Sequence, residues 1–170
     1  TADAVMASAC LPLVFKAVEI GGDAYWDGCY SGNPPLYPLI YAAQSSDILR
    51  VQINPVEHLR VPATVAEITD RVNEITFNAG LLAELRSIEF VRRLRDEGKI
   101  EMDHYKEVRM HRIDGGAALA DFGAASKTRT DLAFMRQLFA LGRTVGQQWL
   151  QAHRQDVGVR SSFNLAHCGA

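Results

Sequence analysis

The hydrophobic positions of this chain change period several times, and each change predicts an element. Residues 2–10, "ADAVMASAC", are mostly small and apolar and read as a short helix. Thr1 stands before it, where a hydroxyl can accept an orphan N–H of the first turn, so a capping role is expected rather than a catalytic one. Pro12 ends the helix and forces extended backbone before it. "KAVEI" and "AYWDG" flank "GGD" as two short strand-like runs about a glycine pair, the pattern of a β-hairpin. Asp27 falls at the exit of the second run. Asn33 ahead of Pro34 and Pro35 is a helix-start signal and predicts a helix over "PPLYPLIYAAQ". "DILRVQINP" has a β-branched and aliphatic centre and predicts a strand buried on at least one face.

Beyond Pro55 the texture changes. "NPVEHLRVPAT" reads as a crossing, and a helical period then runs for more than thirty residues to Gly98. Ile68, Val72, Ile75, Ala79 and Leu82 share one stripe; Leu81, Leu85 and Ile88 share an adjacent one. Thr64 and Glu67 have capping-box spacing, and Gly98 is a stop signal. At 1.5 Å per residue the helix spans roughly 45–50 Å. It must lie along a larger body, which predicts Ile75 and Leu82 buried with Arg71 and Arg93 exposed. "YKEVRMHRI" alternates apolar and charged residues as a strand with one exposed face does. "DGGAALADF" turns into a short helix. "TDLAFMRQLFALGRTVGQQWLQAH" is a second long amphipathic helix, with Thr130 as its cap and Leu132, Met135, Leu138, Phe139, Val145 and Trp149 facing in. The end, "GVRSSFNLAHCGA", carries no clear period and is expected to be loosely structured.

Composition narrows the function classes. The 170 residues are 48% hydrophobic and 22% charged, within the range of a globular chain of one domain or slightly more. A formal net charge of −2 gives no bulk attraction to nucleic acid or anionic membrane. No apolar run approaches the roughly 20 residues of a membrane span, and the chain does not open on a basic-then-apolar signal segment. Cys10, Cys29 and Cys168 are an odd set without metal-ligand spacing, which points to a reducing, cytoplasmic compartment. His167 beside Cys168 has no second pair, so no metal site is expected.

The candidate chemistry is concentrated in "AYWDGCYSGNPPL", residues 24–36. Asp, Gly, Asn and Pro are ordinary turn residues, so Asp27 can be a turn former. A strand end followed by glycine also gives a carboxylate a fixed aim, as a proton acceptor for a nucleophile requires. Spacing leaves both readings open. No Gly-x-Ser-x-Gly elbow occurs; "GAASK" at 123–127 lacks the second glycine. "VRRLRDEG" is a balanced, solvated helix face.

Two blocks carry a family resemblance. "ASACLPLVF", Ala7 to Phe15, resembles the Ala-Ser-x-Ala-x-Pro-x-x-Phe segment of patatin-like phospholipases, and "DGCYSGNPP" resembles their Asp-Gly-Gly/Ala block followed by Asn-x-Pro. Order and separation also fit. The resemblance implies that residues 1–60 are the C-terminal part of such a domain, in a three-layer α/β fold with a sheet between helices. Residues 61–170 are similar to a mainly helical C-terminal extension of bacterial members, packing on it. It implies a hydrolase of lipid acyl esters with a Ser–Asp dyad and no cofactor. Asp27 takes the place of the dyad aspartate, with Gly28 and Asn33 supporting the loop. The nucleophile serine matches nothing here; it would come from an N-terminal portion of the same protein. The implied partners are that portion, the lipid or acyl-ester substrate and, transiently, a membrane surface. Cys29 departs from the usual Gly or Ala, which keeps a noncatalytic lipid-binding or scaffolding homologue as the alternative.

Overall fold

The computed structural model describes residues 1–12, 14–53, 56, 61–101, 105–116, 119, 122, 126 and 129–165. Among these residues it is a mixed α/β structure with two small sheets. Helix α1 (Ala2–Ala7) is capped by Thr1, whose hydroxyl accepts the Ala4 N–H at 3.4 Å. Strands β1 (Val18–Ile20) and β2 (Asp23–Tyr25) form the expected antiparallel hairpin. Gly21 and Gly22 have φ of 64° and 94°. A two-residue turn with both φ positive matches the twist of the strands it joins, and glycine enters that region without steric cost.

Helix α2 (Tyr37–Ala42) begins later than expected, and Asn33 is not its cap. Each residue before a proline is pushed toward extended backbone. Asn33 and Pro34 both precede prolines, so the helix cannot start there. Pro38 sits in the first turn, where a missing N–H leaves no bond unmade. The orphan donors of this helix are met from afar: Glu84 Oε2 accepts the N–H of Leu36 at 2.6 Å and of Tyr37 at 2.8 Å.

Strand β3 (Asp47–Gln52) pairs in parallel with β4 (Arg109–Asp114), Ile48 opposite Met110 and Leu49 opposite His111. Between them runs α3 (Val65–Asp96), with the capping box of Thr64 and Glu67 formed and Gly98 at φ 67° beyond its end. Leu81, Leu85 and Ile88 of α3 close a core with Leu36, Ile48, Met110 and Leu165. Each such side chain contributes about 1.5–3 kcal/mol by leaving water.

The other stripe of α3 is a correction. Ile75 is 54% exposed, Ile68 and Val72 are also exposed, and Leu82 is half-buried. The buried apolar positions of the helix, Leu81, Leu85 and Ile88, lie in its later half. Arg93 is exposed as expected. Arg71 is half-buried, paired with Glu74 at 3.1 Å and donating to the Val56 carbonyl at 3.2 Å.

Strand β4 is more buried than its charge alternation predicts. Met110 and His111 are both enclosed, because one face meets the α3 core and the other meets Trp149 of α4 (Leu132–His153). The cap of α4 is Asp131, accepting the Phe134 N–H at 2.9 Å, and not Thr130. Trp149 and Phe134 are buried, Leu138 and Val145 half-buried, while Leu132, Met135 and Phe139 are exposed, contrary to expectation. The body beneath this helix is too small to cover its whole apolar face.

The segment after α4 is anchored, which also corrects the expected loose end. Its Gly158 N–H donates to Asp47 at 2.9 Å, Ser161 Oγ accepts the Met110 N–H at 3.1 Å, and the Phe163 N–H donates to the Met110 carbonyl at 3.1 Å. Residues 161–163 thus lie along the free edge of β4. His167 and Cys168 fall outside the described residues, as does most of the helix expected over 114–122.

Candidate active site

The two blocks singled out in the sequence touch. The Asp27 N–H donates to the Cys10 carbonyl at 2.8 Å, and Trp26 Nε1 donates to the Phe15 carbonyl at 3.0 Å. The chain leaving α1 is therefore fastened to the chain leaving β2. Asp27 stands at this junction, half-buried. Its carboxylate Oδ1 accepts the Cys29 N–H at 2.9 Å and caps a single 3-10 turn, Gly28–Tyr30. The turn-forming role is thus present, and it fixes the direction of the side chain.

Cys29 is a free thiol. Burial pushes its pKa up, and the negative charge of Asp27 beside it acts in the same direction. A thiol kept protonated is a poor nucleophile.

The corner rests on α3. The rings of Tyr30 and Phe77 are 5.3 Å apart. A Cβ on Gly80 would stand 3.6 Å from the Ser31 carbonyl oxygen and 3.7 Å from Gly32 Cα, so the loop lies directly on the helix surface. One turn further, Glu84 holds the start of α2. Phe77, Gly80 and Glu84 follow each other at i, i+3 and i+7, a stripe on one helix face. Sequence reading had not assigned these three to the corner. A glycine inside a strong helical period was the available signal, since such a glycine often marks a close backbone approach. Asn33 is half-buried beyond the turn. Gly32 is tighter than Gly28: a Cβ there would lie 3.0 Å from Pro35 Cβ, whereas one on Gly28 would meet only Ser31 Oγ at 3.8 Å.

Among the described residues, no group of three or more His, Cys, Asp or Glu side chains could hold a metal ion, and no helix is long and apolar enough to cross a membrane.

A family model described as patatin-like phospholipase matches residues 1–40, the stretch that contains both blocks and the Asp27 corner. The matched part is similar to a family of lipid hydrolases. No curated protein and no solved structure matches the chain.

Proposed function

We propose that this chain supplies the aspartate half of a lipid acyl-ester hydrolase of the patatin-like type. The observation that carries this reading is the fastening of the Ala7–Phe15 block to the Asp27 corner, with the carboxylate held at the junction. A serine on an N-terminal portion of the same protein attacks the ester carbonyl carbon. Asp27 accepts its proton and passes it to the departing alcohol oxygen as the ester C–O bond breaks, and water later releases the acyl group. Gly28 leaves the carboxylate uncovered, and Asn33 with its prolines shapes the exit of the loop. Among the described residues β3 pairs only with β4, and its other edge is where the sheet of a three-layer domain would continue. The substrate face meets a membrane surface transiently while the protein works from the cytoplasm.

The test is release of fatty acid from phospholipid in mixed micelles by the protein that joins this chain to its serine-bearing portion. Steady release is expected. A second reading, a noncatalytic lipid-binding or scaffolding homologue, is favoured by Cys29 in place of a smaller residue and by the engagement of Asp27 as a cap. Binding to phospholipid vesicles without any release would establish that reading and overturn the first.

A further inference from the structure

A second group of reactive side chains lies on the face of the β3–β4 pair turned toward α4. The parallel register sets Asp47 opposite Arg109 and Leu49 opposite His111. Side chains alternate across a strand, so Asp47, Arg109 and His111 share one face. Asp47 Oδ1 lies 2.9 Å from His111 Nε2, and His111 Nδ1 lies 2.9 Å from Ser162 Oγ. Three side chains from β3, β4 and the C-terminal segment thus stand in a row: carboxylate, imidazole, hydroxyl.

The network assigns the protons. Arg109 donates to both carboxylate oxygens of Asp47, and this interaction holds Asp47 well below the ordinary carboxylate range. An ionised carboxylate only accepts. A neutral imidazole has one N–H and one lone pair, so Nε2 carries the proton toward Asp47 and Nδ1 turns its lone pair to Ser162. The ring is clamped in that orientation: His111 is 1% exposed and meets Trp149 edge-on at 5.9 Å and 85°. A hydroxyl within hydrogen-bond reach of a base, and a base oriented by a third group, is the arrangement that activates serine. Ser162 itself is half-buried.

We propose that Ser162 is a base-activated nucleophile that accepts an acyl group from an ester, at a site separate from Asp27. Ser162 Oγ bonds to the ester carbonyl carbon as its proton passes to His111 Nδ1. The tetrahedral adduct then collapses, the ester C–O bond breaks, and that proton leaves on the alcohol oxygen. The products are acyl-Ser162 and a free alcohol, with no further reactant needed. Arg109 offsets part of the Asp47 charge, so the imidazolium is stabilised less than by a lone carboxylate. Acylation is therefore slow, read over hours.

The 170-residue chain is treated with a fluorophosphonate at neutral pH and cleaved after Arg160, and the adduct is placed by fragment-ion mass spectrometry. The expected result is labelling of Ser162 that is lost in Ser162→Ala and retained in Ser161→Ala. In His111→Gln, labelling falls by about a hundredfold, as loss of a general base does. Labelling of Ser162 that is no faster in the folded wild-type chain than in urea overturns the proposal, as does a folded His111→Gln that labels at the wild-type rate. The urea comparison and the Ser161/Ser162 pair decide the matter even where His111→Gln does not fold. Fatty-acid release that persists in Ser162→Ala separates this site from the one at Asp27.

Discussion

At the scale of single residues, two aspartates hold the two ends of the structure by different means. Asp27 is visible in the sequence because turn residues surround it. Asp47 is not, because its partners come from 62, 64 and 111 positions away. The meeting of Asp47, His111 and Ser162 depends on a parallel register, which no local pattern records. A histidine inside an alternating strand was the one hint, and the alternation made that face look solvated. Asp47 has a folded pKa below its unfolded value. Its contribution to stability is therefore complete above the unfolded value of about 3.9, and it is lost as the pH falls from there toward the folded value. Asp47→Asn should lower stability at pH 7 by about 2–4 kcal/mol, slightly under the range for a fully buried pair because the carboxylate keeps some exposure. Urea unfolding at pH 7 and at pH 3 measures both effects. The difference between wild type and variant should shrink at the lower pH, and a difference independent of pH would contradict the assignment.

At the scale of elements, α3 shows which signals are local and which are not. Its ends were legible, because a capping box and a glycine in positive φ act within one turn. Its period was legible as well. The choice between its two apolar stripes was not, since that depends on the size of the body beneath it. Leu81, Leu85 and Ile88 meet the β3–β4 pair, while Ile75 stays exposed. Leu85→Ala should cost about 2–5 kcal/mol in urea unfolding of the chain, as a large-to-small change in a closed core does. Ile75→Ala should stay within about 0.5 kcal/mol, the range of surface substitutions. Equal losses would mean that both stripes are packed. The same helix supports the Asp27 corner, since Phe77, Gly80 and Glu84 meet Tyr30, the Ser31–Gly32 backbone and the start of α2. A bulky side chain at position 80 would have to displace that loop.

At the scale of the whole molecule, one core joins the first part of the chain to the last. Leu36 and Ile48 pack with Leu81, Met110 and Leu165, so the Asp27 corner is held by residues more than fifty positions downstream. The hairpin, the strand β3 and the long helices were legible from period and punctuation. The anchoring of residues 158–165 was not, because it uses backbone and hydroxyl bonds to β3 and β4 rather than an apolar pattern of its own. The account turns on whether the corner so held is chemical or only structural, and Asp27→Asn separates the two. Asparagine can still accept the Cys29 N–H and cap the turn, but it cannot take a proton from serine. In the protein that includes the serine-bearing portion, kcat for fatty-acid release should fall by at least about a hundredfold, with the melting temperature unchanged on the same preparation. A folded Asp27→Asn protein that keeps most of its rate would contradict the account and leave this corner as a turn.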